Sequence, residues 1–494
     1  MDDLQSIIDE ALDDARDALV AGDLPEAETL VREVLAVASG QSRAHGLLGR
    51  VALRCGDTEE ARRHLQQAFE SGDEDPDVLR ALADLCWSAL DFDNAARALA
   101  RLASASAPDP GLWHRVGVSR HRTGDVPAAL AALERAVAIA GAPASAWGDL
   151  GVARAGLADL AGAEAALETA CRLASSDERP THLAHLAGVK ARAFGPQPAV
   201  ALLKEAAGSG VPWITAAYAQ ALSAAGDVRA ALATLRAAHA EKPGAFELWL
   251  PLGALALAQG DAQEALTLAR ERLALHPSHA GAVDLYLQAV RGGARPPDQA
   301  PDPAWLLAVS WIRATPLIDG ALAAALAEHV AQHRTLRLSP YGHATQGGWH
   351  SGSLLVAPRG PVALLEPLLA EAIAHYGRAA WGPPPGRVAL NPWGVVFRGE
   401  GHQSSHIHPD SWLSGVLHVE LPPGMHEPPR RAAKQGWLRF TEGPRPEDPV
   451  VLDLEPVVGT LVLFPSYLHH QTLPVPLPEP RISIAFDVVP VEGN

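Results

Sequence analysis

The residues best suited to chemistry are histidines near the end of the chain. In the segment GHQSSHIHPDSWLSGV, His406, His408 and Asp410 occupy alternate positions. If this segment is extended, the three side chains project from one face, because successive side chains of a strand point to opposite sides. Neutral imidazoles and a carboxylate are ligands of non-haem Fe(II), and two histidines with one carboxylate leave coordination positions open. A further histidine can come from LVLFPSYLHHQT, which contains His469 and His470. The pattern predicts a metal centre.

A second polar motif lies eleven residues beyond His470, where Arg481 and Ser483 are separated by one residue on the last predicted strand. A guanidinium group binds a carboxylate through two parallel hydrogen bonds, and a hydroxyl group two residues along a strand shares its face. The motif therefore predicts an anchor for a small molecule that carries a carboxylate. Asn391, on the strand that leads to the histidines, is a further candidate for the same pocket. Apart from the metal ligands, no residue is predicted to act as a catalytic acid, base or nucleophile.

These polar residues lie in a region whose pattern is typical of antiparallel β-structure. From residue 387 onwards, Gly- or Pro-rich turns separate short alternating runs, which are RVALNPWGVVFR, WLSGVLHVELP, WLRFTEG, TLVLFPSYL and RISIAFDVV. Two amphipathic helices are predicted before them, at about 317–334 and 361–377. Helices packed outside a sandwich or jelly roll make an α+β domain, which we place at residues 305–494.

The first part of the chain repeats with a period of 34 residues. Gly-Asp pairs recur at multiples of this interval, at Gly22-Asp23, Gly56-Asp57, Gly124-Asp125, Gly226-Asp227 and Gly260-Asp261. Small residues keep the same register, which predicts two short helices per repeat that touch where the side chains are small. One such hairpin cannot bury its apolar face alone, so stacked neighbours form an all-α solenoid, which we place at residues 1–291.

Two segments interrupt this pattern. The repeat at about 176–208 lacks the Gly-Asp signal, and its Gly195-Pro196 pair is expected to break the helical pattern. The Gly- and Pro-rich segment 292–304 is predicted to be a linker between the solenoid and the α+β domain. The chain is therefore expected to be a multidomain protein.

The composition narrows the possible functions. The 494 residues include 57 acidic and 40 basic side chains, and the formal net charge is −17. An acidic chain without a Lys/Arg-rich run is a poor binder of nucleic-acid phosphates. No apolar run reaches the ~18 residues of a membrane span, and the acidic first twenty residues do not have the features of a signal peptide. We therefore expect a cytoplasmic protein with no membrane or nucleic-acid partner; the sequence sets no oligomeric state.

The two halves resemble known families. The repeats resemble the tetratricopeptide repeat over about residues 6–290. HIHPDSWLSGVLHVELP and LVLFPSYLHHQTLPVPLPEPRISIAFDVVP resemble a family of 2-oxoglutarate/Fe(II)-dependent oxygenases with the motif His-x-His-Pro-x-x-Trp-x-Ser-Gly-Val, then Phe-Pro-Ser, a His and Arg-x-Ser. Members with N-terminal tetratricopeptide repeats share this layout. The resemblance implies a double-stranded β-helix (jelly-roll) core. By position it implies roles for His406 and His408 in the first motif, His470 as the distal histidine, and Arg481 and Ser483 as the 2-oxoglutarate site.

The resemblance leaves two ligand sets open. Most oxygenases of the wider superfamily use His-x-Asp, which would select His408 and Asp410 and leave His406 outside. The nearer family favours three histidines, so we predict His406, His408 and His470, with Asp410 as the alternative carboxylate ligand. Leu417-His418 stands where the family commonly has two tyrosines, a departure that bears on the cosubstrate pocket or on the choice of substrate.

The implied activity is that of an Fe(II)- and 2-oxoglutarate-dependent dioxygenase, an oxidoreductase that hydroxylates a peptide or protein side chain held in the groove of the solenoid. A second hypothesis is a protein-interaction scaffold whose barrel binds metal without turnover. The complete motif favours the enzyme, because a degenerate barrel is expected to have lost a ligand or the carboxylate anchor.

Overall fold

The computed structural model describes residues 2–298, 300–338, 344–356, 358–378 and 386–491. The chain divides into two compact units, Met1–Ser175 and Ser176–Asn494. Among the helices of the described residues, none combines the length and the apolar character that crossing a membrane requires.

The first unit consists of helices that follow one another in antiparallel pairs. They are α1 (Asp2–Ala21), α2 (Leu24–Val37), α3 (Ser42–Cys55), α4 (Thr58–Glu70), α5 (Pro76–Ser88), α6 (Phe92–Ala105), α7 (Pro110–Arg122), α8 (Val126–Ala138), α9 (Ala144–Gly156) and α10 (Leu160–Leu173). The second unit begins with seven more, α11 (Arg179–Phe194), α12 (Pro196–Ala207), α13 (Pro212–Ala224), α14 (Val228–Glu241), α15 (Phe246–Ala258), α16 (Ala262–Leu275) and α17 (Ala280–Arg291).

Each Gly-Asp pair ends one helix and begins the next. The glycines adopt left-handed φ angles between 77° and 93°, and each aspartate accepts a hydrogen bond from a backbone N–H of the first turn that follows. Leu90 and Ala158 occupy the same slot at φ 60° and 63°, although residues with a Cβ seldom adopt this conformation. The backbone geometry of the repeat is therefore kept where the glycine is lost.

The small residues lie where the helices touch, as predicted. The alanines five residues after the turn are fully buried, at positions Ala27, Ala61, Ala95, Ala129, Ala163, Ala231 and Ala265. A Cβ added to Gly49, Gly117 or Gly151 would lie within 2.6 Å of a leucine on the next helix. A larger side chain at these positions would push the two helices apart.

The repeat without the turn signal still folds as a helical hairpin. Gly195 ends α11 at φ 85°, and Pro196 is the first residue of α12. Proline fits this position because the first N–H groups of a helix have no partner within the helix. The break expected at Gly195-Pro196 is therefore the turn between two helices.

The chain after the repeats is mainly β-structure. The strands are β1 (Arg313–Pro316), β2 (Arg337–Leu338), β3 (Thr345–Ser353), β4 (Val388–Gln403), β5 (Leu413–Glu420), β6 (Leu438–Thr441), β7 (Val450–Leu454), β8 (Thr460–Pro465), β9 (His469–Thr472) and β10 (Leu477–Pro490). Four helices accompany them, α18 (Pro303–Leu306), α19 (Gly320–Ala331), α20 (Val362–Gly377) and α21 (Pro428–Ala432). The two longer ones confirm the helices predicted before the first long strand.

The strands form a seven-stranded main sheet, in the order β1-β8-β5-β10-β4-β3-β2, and a three-stranded small sheet, in the order β7-β6-β9. Every pairing between these strands is antiparallel. Phe440 of the small sheet packs against Phe464 of the main sheet with ring centroids 4.9 Å apart, so the two sheets face each other. This arrangement is consistent with the predicted jelly-roll core.

In the second unit, the last repeats and the two sheets share one apolar core. Leu285 and Tyr286 of α17 belong to the same buried cluster as Trp412 and Phe464 of the sheet region. The segment between α17 and α18 is tied back to the repeats, because the Tyr286 hydroxyl donates to the Pro301 carbonyl at 2.6 Å. The domain boundaries at residues 291 and 304 stay predictions.

Candidate metal centre and carboxylate pocket

Backbone pairing brings the two histidine segments together. His406 and His470 exchange two backbone hydrogen bonds, of 3.1 and 3.0 Å. The His408 N–H donates to the Ser466 carbonyl, just before β9, at 3.0 Å. The backbone pairing therefore sets where these three side chains leave the main chain.

The three imidazoles form one cluster. Among the described residues, His406, His408 and His470 are the group whose potential ligand atoms, one per residue, lie within 4.8 Å of one another. The ring centroids are 4.2 Å apart for His406 and His470, 5.0 Å for His406 and His408, and 5.3 Å for His408 and His470. The structure thus brings together the three residues predicted as ligands.

In each of the three rings, the Nδ1 atom donates a hydrogen bond to an oxygen atom. His406 Nδ1 lies 2.7 Å from its acceptor, the Ser404 carbonyl, and His470 Nδ1 lies 3.0 Å from the Leu468 carbonyl. His408 Nδ1 lies 3.0 Å from Oδ2 of Asp487. Since these oxygens accept hydrogen bonds, each Nδ1 carries a proton, and in a neutral imidazole Nε2 then keeps a lone pair. Three Nε2 lone pairs in one cluster are the donor set that a transition metal binds.

Burial keeps two of these rings neutral. It lowers the pKa of His406 to about 4, and it lowers the pKa of His470 well below its ordinary value, with the neighbouring imidazoles adding to the effect. Metal binding to histidine requires the neutral ring. At neutral pH these two ligands therefore need no deprotonation before a metal binds.

Asp410 does not join the cluster. The expectation that His406, His408 and Asp410 share one extended face is wrong, because the chain turns after His408. The Ser411 N–H donates to the His408 carbonyl at 3.1 Å, which places Pro409 and Asp410 at the two central positions of a turn, where proline is favoured first. Asp410 is exposed as a result. Its role as an alternative ligand stays a prediction.

A second group of polar atoms lies buried without partners on the adjoining strands. Arg481 is 3% exposed, and its Nε and Nη1 atoms have no hydrogen-bond partner among the described residues. His418 is 1% exposed, and both of its ring nitrogens also lack a hydrogen-bond partner among the described residues. Ser483 pairs with His418 in the register of β10 and β5. Since buried polar groups are normally satisfied, these atoms suit a ligand with several acceptor oxygens.

The charges in this pocket favour an anion. Burial lowers the pKa of Arg481 to about 10, so its guanidinium remains protonated at neutral pH. Burial, with a contribution from Arg481, lowers the pKa of His418 to about 3, so this imidazole is neutral and donates from one nitrogen. One buried cation beside a neutral donor matches a carboxylate. We call Arg481, Ser483 and His418 the carboxylate pocket.

The sequence reasoning assigned no role to Asp487. This residue follows Arg481 and Ser483 at even spacing on β10, which places all three on one face of the strand. Its Oδ1 accepts from the Ser414 hydroxyl at 2.8 Å, while its Oδ2 binds His408. A single acidic residue in the apolar run RISIAFDVV was the signal that could have revealed it, because buried carboxylates need a partner.

Neither Asn391 nor His469 belongs to the cluster of three imidazoles. Asn391 is exposed on β4, opposite Asp487 in the strand register, and its assignment to the cosubstrate site stays a prediction. His469 points away from the three imidazoles, since its Nε2 donates to Asp284 of α17 at 3.0 Å.

Comparison with family models identifies both parts of the chain. Residues 391–487 match the model described as "Putative 2OG-Fe(II) oxygenase". Two models described as tetratricopeptide repeat match residues 18–85 and 217–280. The recognition of both families from the sequence is confirmed, as is the fold class of a helical repeat region followed by a mostly antiparallel β-domain. A search of curated proteins found no match.

Solved structures resemble parts of the chain. The Cut9-Hcn1 hetero-tetramer of APC/C is 14% identical with a TM-score of 0.33; the alignment covers 49% of this chain and 48% of that one, so the chain matches about half the length of that relative. A MamA fragment from Desulfovibrio magneticus RS-1 is 23% identical over 33% of this chain and 92% of its own, with a TM-score of 0.29. A Pseudomonas putida prolyl-4-hydroxylase is 15% identical over 37% of this chain and 94% of its own, with a TM-score of 0.29.

Proposed function

We propose that this protein is an Fe(II)- and 2-oxoglutarate-dependent dioxygenase that hydroxylates a peptide or protein side chain. The observation that carries the proposal is that one β-domain contains both a cluster of potential metal ligands and a buried cation that lacks an anionic partner in the part of the chain that the structure describes. Three imidazoles place one ring nitrogen each within 4.8 Å of one another, and the buried Nε and Nη1 atoms of Arg481 on β10 have no acceptor among the described residues. A metal satisfies the first site and a carboxylate satisfies the second.

The donor set fits iron. His406, His408 and His470 would hold the metal through Nε2, and three protein ligands leave coordination positions for a small molecule. Bound Fe(II) would couple the oxidative decarboxylation of 2-oxoglutarate, which gives succinate and CO₂, to the transfer of one oxygen atom of O₂ into a substrate C–H bond.

The surrounding residues orient these groups. Asp487 fixes the ring of His408 through Nδ1, and Ser414 in turn fixes the carboxylate of Asp487. Arg481 and His418 would donate hydrogen bonds to the far carboxylate of 2-oxoglutarate, and the Ser483 hydroxyl would add a third donor. Because these donors are buried, water competes little for the carboxylate, which strengthens each charge-assisted hydrogen bond.

The repeats suit a protein or peptide substrate. Stacked helical hairpins form extended concave surfaces, which such proteins use to hold partner chains. We assign the groove of the repeats to substrate capture, and we place the reaction in the cytoplasm from the composition of the chain. The identity of the modified side chain is left to experiment.

Anaerobic titration of the purified protein with Fe(II) and 2-oxoglutarate tests the metal and cosubstrate sites. The expected result is a visible metal-to-ligand charge-transfer band that His470→Ala abolishes and Arg481→Ala weakens. Arg291→Ala serves as the control, because Arg291 lies in the same unit and pairs with Asp448, and neither residue belongs to the imidazole cluster or to the group around Arg481. A folded wild-type protein without the band would exclude the assignment.

Turnover separates the enzyme from the scaffold. Incubation with Fe(II), 2-oxoglutarate and O₂ should yield succinate, because these enzymes commonly decarboxylate 2-oxoglutarate slowly without substrate. Succinate that disappears in His408→Ala supports the dioxygenase. A protein that binds Fe(II) and 2-oxoglutarate and forms no succinate, even with cell extract as a source of substrate, would be the metal-binding scaffold instead.

A further inference from the structure

The last helix of the repeats contacts both segments that carry the candidate metal ligands. The Gly281 N–H of α17 donates to the carbonyl of Pro409, the residue after His408, at 3.0 Å. One turn further along the helix, Asp284 accepts a hydrogen bond from His469 at 3.0 Å. His469 directly precedes the ligand candidate His470. A single helical turn therefore holds residues adjacent to two of the three imidazoles.

The C-terminal end of α17 is anchored elsewhere on the β-domain. The Gln288 side-chain amide donates to the Glu442 carbonyl at 2.9 Å. Arg291 donates to the same carbonyl at 3.0 Å and pairs with Asp448 at 2.7 Å. Asp448 is buried, and Arg291 holds its pKa below the usual range against the opposing effect of burial. These contacts fix the helix on the domain independently of its first two turns.

The first turns of α17 make close contacts that depend on their residue types. A Cβ on Gly281 would lie 3.0 Å from Cβ of Pro409, a distance that real side chains seldom tolerate, so glycine permits the helix to reach the turn after His408. His469 lies on β9, an outer strand of the small sheet. Asp284 therefore contacts β9 through the His469 side chain, while the next residue of the strand, His470, pairs through its backbone with His406.

We propose that Gly281 and Asp284 of the repeat region are positioning residues of the metal centre. Asp284 acts through His469 on His470, and Gly281 acts through Pro409 on His408. Neither residue touches the metal. The repeats are then part of the metal site as well as a surface for partners, because their last helix sets the spacing between two ligand segments. This inference rests on the metal centre of the proposed function.

Cobalt(II) titration of the full-length chain, followed by visible absorption, tests the inference without requiring turnover. Asp284→Ala is expected to weaken Co(II) binding about tenfold, the lower end of the effect of outer residues on metal sites. Asp284→Asn should restore most of the affinity, since the amide oxygen still accepts from His469. Gly281→Ala should weaken binding in the same direction and by less, because Pro409 must shift by only a few tenths of an ångström.

The matched control is Arg291→Ala on the same helix. It removes the ion pair with Asp448 and should lower the melting temperature while leaving the Co(II) affinity unchanged. Equal loss of affinity in Asp284→Ala and Arg291→Ala, or no loss in Asp284→Ala and Gly281→Ala, would overturn the inference. His470→Ala shows that the bound Co(II) occupies this site.

The outcomes also separate this inference from the proposed function. A wild-type chain that does not bind Co(II) overturns both. Binding that is insensitive to Asp284 and Gly281 overturns only the positioning role. Normal Co(II) binding that responds to Asp284, combined with absence of succinate, refutes the dioxygenase and supports the positioning role of α17. If Asp284→Ala does not fold, Asp284→Asn and Gly281→Ala still decide the question.

Discussion

Replacement of Arg481 by methionine is expected to stabilise the ligand-free protein and to abolish binding of 2-oxoglutarate. Arg481 is buried, and its Nε and Nη1 atoms have no acceptor among the described residues. A buried arginine that served stability alone would have an acceptor for these atoms, because an unpaired buried charge is costly. Methionine fills a similar volume and carries no charge, so the substitution removes that cost.

The magnitude follows from the pKa of the guanidinium. Burial lowers the pKa of Arg481 from its ordinary value to about 10, which corresponds to a cost of about 3 kcal/mol for keeping the group charged in the folded state. Since the folded pKa lies below the unfolded one and both lie above neutral, the cost is present in full at pH 7 and declines only as the pH rises above about 10. Arg481→Met should therefore raise the free energy of unfolding by up to about 3 kcal/mol.

The assay is thermal unfolding with Mn(II), in the presence and absence of 2-oxoglutarate. At a concentration of 100 Kd the cosubstrate should stabilise the wild type by about 2.7 kcal/mol, and it should not stabilise Arg481→Met. Arg291→Met is the control, because loss of its pairing with Asp448 should destabilise the protein and leave the effect of 2-oxoglutarate intact. An Arg481→Met variant that is less stable than the wild type and still responds to 2-oxoglutarate would refute the reasoning.

Three further outcomes are expected. Asp487→Ala should weaken Co(II) binding by about 10- to 100-fold in a titration, because His408 loses the acceptor that orients its ring; an unchanged Kd would contradict this. Asp410→Ala should leave the Co(II) affinity unchanged and His406→Ala should abolish it, and the reverse result would select the carboxylate as the third ligand. The melting temperature should fall as the pH decreases from about 6.5 towards 4, because His406 and His418, with pKa values of about 4 and 3, bind protons more readily in the unfolded chain. His418→Phe should make the melting temperature depend less on pH. An unchanged pH dependence would show that another group is responsible for the fall.

Features with a local cause could be predicted from the sequence. In the repeats, each predicted feature depends on residues within one helical hairpin: the 34-residue period, the turn at each Gly-Asp pair and the buried alanines. The same local signal therefore occurs in one repeat after another. Leu90 and Ala158 show that the register predicts the turn even without glycine. The three histidines and the strands β4, β5, β6, β8 and β10 were equally accessible, because alternation and residue type are local properties. The strands β1, β2, β3, β7 and β9 were not among the predicted runs.

Features that depend on distant contacts or on a single bond were not predicted. Asp410 fits the alternating pattern, and one hydrogen bond from Ser411 to the His408 carbonyl turns it away. The contact between Asp284 and His469 joins residues 185 positions apart, and no periodicity in either segment signals it. His418 was noted only as a departure from a family pattern, since its burial beside Arg481 becomes evident only when β5 and β10 pair.

The polar residues on one face of β10 distinguish groups that the protein satisfies from groups that it leaves for a ligand. Asp487 has Ser414 and His408 as partners, so its carboxylate belongs to the folded framework that orients the imidazole. Arg481, on the same face, has buried Nε and Nη1 atoms without acceptors in the part of the chain that the structure describes, and leaving such groups unsatisfied destabilises the ligand-free state. That cost persists unless a ligand offsets it. With the metal at a saturating concentration, the stability gained on binding 2-oxoglutarate should therefore be lost when Arg481 is replaced and retained when Asp487 is replaced. A protein in which both substitutions removed this gain equally would contain one coupled network, and the separation into framework and ligand site would be wrong.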